Sequence, residues 1–219
     1  MRKIECIIFD LDEVLTDTSK LHYKAWKKLA DEINVYFDEV INQRLKGISR
    51  RESLEIILEL SEYPFSEEEK EKLTETKNTY YREMIETLSP QDLYWGVEEL
   101  LQDIKSRQIK AVLASASKNA PFIIKRLEIE KYFDYIVDAN CIKKGKPDPE
   151  IFIMGAENVQ ANPENCIVIE DSIAGLIAVK RAGMIAVGIG NSELQNYADY
   201  VFENTGKVDI DFLCMSVRD

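Results

Sequence analysis

Three apolar runs constrain the fold of this chain more than any other feature. IECIIF (4–9), KAVLA (110–114) and CIVI (166–169) look like buried parallel strands, and each stops at a polar residue: Asp10, Ser115 and Glu170-Asp171 respectively. A weaker run, MIAVGI (184–189), and the short YIVD (135–138) and DYVF (199–202) read as further strands. Between them lie helical patterns: GVEELLQDIKSR (96–107), KNAPFIIKRL (118–127), PEIFIMGAENV (149–159) and SIAGLIAVKRA (172–182). Strand alternating with helix predicts an α/β fold, a doubly wound Rossmann-like parallel sheet. Gly183 is placed to terminate the last of these helices. Asp148-Pro149 pairs an N-cap with proline at the first helical position of the preceding one.

The stretch from about residue 19 to 88 has a different texture. LHYKAWKKLADEI, EVINQRL, RRESLEIILELSE and SEEEKEKLTETKNTYYREMIETL all carry helical spacing, and no strand-like run lies among them. An all-helical segment inserted after the first strand of an α/β sheet is expected to form a cap subdomain. The expected division is an α/β core of residues 1–17 and 89–219 and a helical cap of residues 18–88, a size that suits 219 residues. Thr16–Ser19 and Ser89-Pro90 would be the two hinges.

Charge narrows the function. Lys plus Arg number 28 against 40 Asp plus Glu, a formal net charge of −12. That balance argues against nucleic acid and anionic membrane as partners, and makes a soluble monomer the expectation. An anionic substrate would need local cations, which makes the few Lys and Arg near any motif informative. Arg2-Lys3 leads only to a short apolar run, so no signal peptide is expected, and no apolar stretch is long enough to span a bilayer. Cys6, Cys141, Cys166 and Cys214 form no CxxC pair; Cys6 and Cys166 sit inside apolar runs and read as buried thiols, and a reducing cytoplasm fits best.

In open α/β sheets, ligands bind beyond the carboxyl ends of the strands. Those ends carry Asp10, Asp12, Ser115, Glu170 and Asp171, from three separate strands. One such residue is unremarkable, since strand-to-helix turns favour Asp and Ser as caps. Three strands delivering a hydroxyl and carboxylates to one edge form a candidate site. Carboxylates this dense need a cation, and hard oxygen ligands suit Mg²⁺. A carboxylate there can also attack phosphorus, and the phosphoryl group then needs donors: a hydroxyl, helix amides and a lysine. Ser115, ahead of an expected helix start, and Lys146, in KKGKPDPE, are placed to supply them.

FDLDxVxxD, SAS with its following Lys, GKPDPxxF and IEDS resemble, in order and spacing, the four motifs of the haloacid dehalogenase superfamily. The resemblance spans the whole chain, and LDxVxTDT, H-x3-W, LKGxSRxxSL, SPxDxYxG and ASASKNxPF are similar to its β-phosphoglucomutase branch. That resemblance implies Asp10 as nucleophile and Asp12 as general acid and base. It implies Mg²⁺ held by Asp10, Asp171, the backbone carbonyl of Asp12 and Glu170. Ser115, the Ala116 backbone and Lys146 would hold the transferring phosphate. Arg50, Ser117 and Asn119 would hold a second phosphate, and His22, Trp26, Gly47, Ser53 and Lys77 would face the sugar or the seam between cap and core. The reaction implied interconverts β-glucose 1-phosphate and glucose 6-phosphate through an aspartyl-phosphate, with glucose 1,6-bisphosphate as intermediate and activator.

Plainer readings stand beside these. Ser115 fits a helix N-cap, Trp26 fits core packing, and Lys77, in a highly charged helix, fits a solvated surface. Arg51, next to Arg50 on a helix, should point away from it. Two rival functions also remain open: a sugar-phosphate phosphatase with the same core residues, and a catalytically weakened phosphosugar-binding protein. The second rests on Glu13, which stands where the family pattern has glycine. If that backbone is left-handed a side chain strains it, and an inward carboxylate would repel phosphate.

Overall fold

A computed structural model of the chain describes residues 3–216; Arg2, on which the signal-peptide reading partly turns, and the outermost residues of the expected core lie outside them. Six strands, β1 (Cys6–Phe9), β2 (Lys110–Leu113), β3 (Tyr135–Ile136), β4 (Cys166–Glu170), β5 (Ile185–Ile189) and β6 (Tyr200–Phe202), form one sheet. Its order is β3-β2-β1-β4-β5-β6, and every pair is parallel. The helices among the described residues are α1 (Ser19–Glu32), α2 (Glu39–Gln43), α3 (Arg50–Leu58), α4 (Glu67–Ile85), α5 (Val97–Ser106), α6 (Ala120–Arg126), α7 (Glu150–Asn158), α8 (Ile173–Arg181) and α9 (Ile210–Ser216).

Period-two alternation makes the sheet two-faced. Ile7 and Phe9 of β1 pack with α5, α6 and α9, while Cys6 and Ile8 pack with α7 and α8 on the opposite face. Both faces are covered, which is why the central strands read as unbroken apolar runs. Cys6 and Cys166 are buried thiols, as expected, whereas Cys141 is exposed. No helix among the described residues is long and apolar enough to cross a membrane.

The helical insert has its own core, with Trp26, Leu29, Phe37, Leu54 and Ile57 buried together. Its helices start where local chemistry says they should. Ser49 with Glu52, and Ser66 with Glu69, form reciprocal capping boxes at α3 and α4. The insert joins the core through two connections zipped side by side. Tyr94 N–H donates to Leu15 O at 3.0 Å, and the Thr16 hydroxyl donates to Asp92 O at 2.6 Å.

Local details differ from the sequence reading. The N-cap of α7 is Pro149, with Asp148 one place further out, although its carboxylate still accepts from the Glu150 N–H at 3.1 Å. The α6 helix starts at Ala120 with Asn119 as N-cap, so Ser115 is not a cap; its hydroxyl oxygen instead accepts from Ser117 N–H at 3.1 Å. Strand β1 begins at Cys6 rather than Ile4, and the seven residues of α9 are too few to display a helical period. Gly183 follows α8 with φ of +71°, the expected left-handed stop.

Candidate active site

The register sets three strand ends level: Phe9 pairs with Leu113 on one side and with Ile169 on the other. Asp10, Ser115 and Glu170 therefore emerge along one edge. The chain runs from β1 outward to β2 and β3, then returns to β4 on the opposite side, which makes the β1–β4 crevice the topological switch point. Asp10 sits at its mouth, its N–H held by Ile169 O at 3.0 Å.

Oxygens of Asp10, Glu170 and Asp171 lie within 4.8 Å of one another. Lys146 reaches in from the β3–α7 loop, its Nζ 2.6 Å from Asp10 Oδ1 and 2.5 Å from Glu170 Oε1. The other Glu170 oxygen accepts from Ser172 N–H at 2.6 Å and from the Ser172 hydroxyl at 2.9 Å. This packing requires glycine one turn along α8, because a Cβ on Gly175 would fall 1.9 Å from Glu170 Oε1.

Burial and crowding show in the protonation of the acids. Desolvation raises Asp10 to about 7, against the pull of Lys146 and with the help of Glu170 and Asp12. Burial, with Glu170 and Asp10 adding to it, pushes Asp171 well above the usual carboxylate range. Burial works against the Lys146 charge, but Asp10 and Glu170 outweigh it and hold the ammonium above its ordinary value. The cluster is thus short of positive charge and offers only hard oxygens, a donor set that fits Mg²⁺. The Asp12 carboxylate is not among the three; it accepts a hydrogen bond from the Thr18 hydroxyl, and burial raises its pKa.

The insert closes over this edge and leaves a cavity of about 380 Å³ between the two. His22, Trp26, Gly47, Arg50, Ser53 and Lys77 line it from the cap. Asp10, Asp12, Ala116, Ser117, Lys146 and Asp171 line it from the core, whereas Ser115, Asn119 and Glu170 are not among its lining residues. Gly47, at φ +74°, lets the cap loop approach closely: a Cβ there would meet Ser172 Oγ at 2.6 Å. Ser53 is buried and its hydroxyl donates to Ser49 O at 3.0 Å. Lys46, beside Gly47, brings its ammonium to 3.9 Å from Asp171 Oδ2, a contact between cap and core that sequence reasoning missed.

Lys77 is no surface lysine. It is 1 % exposed, with Nζ 2.8 Å from Nδ1 of His22 and within 4.8 Å of the Trp26 ring centre. Desolvation, reinforced by Arg50 and opposed by Asp12, holds it well below the usual lysine range. Burial likewise depresses His22, with Lys77 and Arg50 adding to the effect, and His22 Nε2 has no hydrogen-bond partner. Trp26 is 2 % exposed, so it serves the cap core and the cavity wall at once.

Arg50 of the insert and Asn119 of the core meet on a residue the sequence reading did not name. The Asn78 side-chain oxygen accepts from Arg50 Nη2 and from Asn119 Nδ2, both at 2.9 Å. Its only sequence signal was adjacency to Lys77. The Arg51 guanidinium is paired with Glu55 and Glu67, yet the residue also borders the cavity beside Arg50.

Glu13 adopts φ of +61°, the left-handed conformation that costs a non-glycine residue roughly 1–2 kcal/mol. Its carboxylate borders the cavity, yet both oxygens are engaged, one by the Ser19 hydroxyl and the other by Tyr94 OH at 3.0 Å. The backbone strain is therefore present, while the carboxylate is tied to the connections.

With this geometry in place, comparison with known proteins is specific. The haloacid dehalogenase-like hydrolase family matches residues 4–183. β-Phosphoglucomutase of Bacillus subtilis is 44% identical over 212 residues, covering 96% of this chain and 94% of that one. A crystal structure of β-phosphoglucomutase from Clostridium difficile superposes with a TM-score of 0.94 at 46% identity, covering 98% of this chain and 97% of the other. A phosphorylated carbohydrates phosphatase of Thermotoga maritima is 36% identical over 184 residues, 83% of this chain and 82% of its own. The sheet order, the acids at its switch point and these near full-length matches agree, and the chain belongs to the haloacid dehalogenase-like hydrolase family.

Proposed function

We propose that the chain is a β-phosphoglucomutase, interconverting β-D-glucose 1-phosphate and glucose 6-phosphate. One observation carries the reading beyond family likeness: a single cavity is lined by acids and Lys146 from the core and by Arg50 from the insert. A substrate carrying two phosphates can use both sets of groups, and a monophosphatase has less use for the second. The helical insert, residues 18–88, acts as the mobile cap over a core of 1–17 and 89–219.

In this reading Asp10 attacks the phosphorus of a bound bisphosphate and becomes aspartyl-phosphate. Asp12, whose pKa is raised by burial, donates a proton to the departing sugar oxygen. Glucose 6-phosphate leaves and β-glucose 1-phosphate binds; Asp12 takes the proton of its 6-hydroxyl, that oxygen attacks the aspartyl-phosphate, and the glucose 1,6-bisphosphate so formed turns round to present its 1-phosphate to Asp10. Lys146, the Ser115 hydroxyl and the Ala116 amide neutralise and orient the phosphoryl group; Arg50, with Ser117 and Asn119, holds the idle one. Mg²⁺, taken by Asp10, Glu170, Asp171 and the Asp12 carbonyl, would supply further charge neutralisation at the phosphoryl oxygens. His22, Trp26, Gly47, Ser53 and Lys77 shape the sugar site and keep water from the acyl phosphate. Glucose 1,6-bisphosphate serves as activator, and the enzyme acts as a cytoplasmic monomer whose partner is the phosphosugar alone.

The test is a coupled assay with β- and α-glucose 1-phosphate, Mg²⁺ and a trace of the bisphosphate. Glucose 6-phosphate should form from the β anomer only. Release of inorganic phosphate without glucose 6-phosphate would turn the assignment to the phosphatase reading.

A further inference from the structure

Glu13 occupies a place where its side chain is not needed by the reaction just described and its backbone is strained. Its two hydrogen bonds give it a different task. Ser19, which donates to one carboxylate oxygen, is the first residue of α1 and so belongs to the cap. Tyr94, which donates to the other, lies on the returning connection, where its N–H is fixed to Leu15 O at 3.0 Å. Thr16 and Leu93 pair antiparallel between the two connections. Backbone bonds arranged along one line do not by themselves resist rotation about that line. A bond from the core-side Glu13 to Ser19, beyond that paired segment, resists the rotation.

We propose that Glu13 is a positioning residue, a side-chain strut that holds the cap in its closed attitude by joining Ser19 to Tyr94. Release has a ready path. Ser19 Oγ also lies 3.3 Å from Asp17 Oδ1, so its single hydroxyl proton can change acceptor as the cap opens. The left-handed backbone at Glu13 is part of the device, since it turns the side chain toward both hydroxyls at once.

The consequence for chemistry rests on the mutase reading. A cap held shut leaves the aspartyl-phosphate to sugar, and a loose cap leaves it to water. The test uses Glu13→Gly, Glu13→Gln, Tyr94→Phe and the Glu13→Gly/Tyr94→Phe pair, each confirmed as folded by circular dichroism. Small-angle scattering of the metal-free, ligand-free chain reads cap attitude directly, without substrate. The radius of gyration should rise in Glu13→Gly and Tyr94→Phe, with Glu13→Gln between them and the native chain. During turnover, the ratio of inorganic phosphate to glucose 6-phosphate should rise roughly five- to tenfold, the equilibrium weight of one hydrogen bond. The double variant should be no worse than Glu13→Gly, because both changes break the same strut. Unchanged scattering in Glu13→Gly and Tyr94→Phe overturns the strut, whatever the turnover. A native chain that makes no glucose 6-phosphate overturns the mutase reading and leaves the scattering result to decide the strut.

Discussion

Lys146 and Asp10 form a buried ion pair, Nζ to Oδ1 2.6 Å, with side chains only 1% and 9% exposed. Glu170 shares the same ammonium, so one cation serves two carboxylates in a site with little water. Removing that cation leaves two buried anions without compensation. Lys146→Ala should therefore destabilise the metal-free chain by about 3–5 kcal/mol and lower turnover by at least about a hundredfold. Chemical denaturation and steady-state kinetics check both, and a loss of stability below ~1 kcal/mol would show the pair to be unimportant.

Metal binding should depend on pH in a direction set by Asp10. Its folded-state value, about 7, stands above its ordinary 3.8. The folded chain thus holds this proton more tightly than the unfolded chain does, and stability from this source falls as pH rises from about 4 through 7. Mg²⁺ favours the deprotonated carboxylate and should stabilise the chain more at pH 8 than at pH 5. At a hundred times its Kd the ion contributes about 2.7 kcal/mol, or a rise in Tm of roughly 5–11 °C for a chain of this size. Thermal melts in Mg²⁺ and in chelator, at both pH values, test this; equal shifts at the two would contradict it.

Arg50 should matter to substrate and little to the acyl-phosphate chemistry. Arg50→Ala should reduce kcat/KM for the bisphosphate by roughly 30- to 100-fold, the weight of a charge-assisted contact, while phosphorylation of Asp10 by a small phosphoryl donor persists. Asn78→Ala, which frees the guanidinium from its present partner, should produce a smaller loss of the same kind. Rapid quench with labelled donor separates the two steps. Equal loss of both would place Arg50 in the chemistry itself.

Gly175→Ala tests how tightly the acid cluster is built. The added methyl would stand 1.9 Å from Glu170 Oε1, and the carboxylate cannot withdraw without leaving Lys146 and Ser172. The variant should lose about 1–3 kcal/mol of stability and bind Mg²⁺ more weakly. Calorimetric titration with the metal, alongside a denaturation curve, measures both, and native affinity in the variant would show the helix start to be more pliant than its packing implies.

Much of the architecture is legible in the residue order because its causes are local or periodic. Unbroken apolar strands imply a sheet covered on both faces, S-x-x-E marks the starts of α3 and α4, and Gly183 ends α8. The ends of β1, β2 and β4 could be placed on one edge, since parallel strands of similar length finish level. Short pieces were less readable: α9 has too few residues to show a period, and Ser115 could pass for a cap until α6 began five residues later.

The sequence by itself determined the α/β alternation, the helical insert and which acids could reach the sheet edge, because strand burial and helix amphipathy are written in the spacing of neighbours. Its likeness to the family pattern also exposed Glu13 as a side chain at a position that favours glycine. Only the tertiary structure decided what that side chain does, since Tyr94 lies 81 positions away. Lys77 is the same case: within its charged helix it reads as solvated, and it is buried because α1 packs across α4 and sets His22, 55 residues distant, against its nitrogen. Propensity and periodicity act over a few residues, whereas the protonation and reach of these groups depend on surfaces that meet only once the chain has closed on itself.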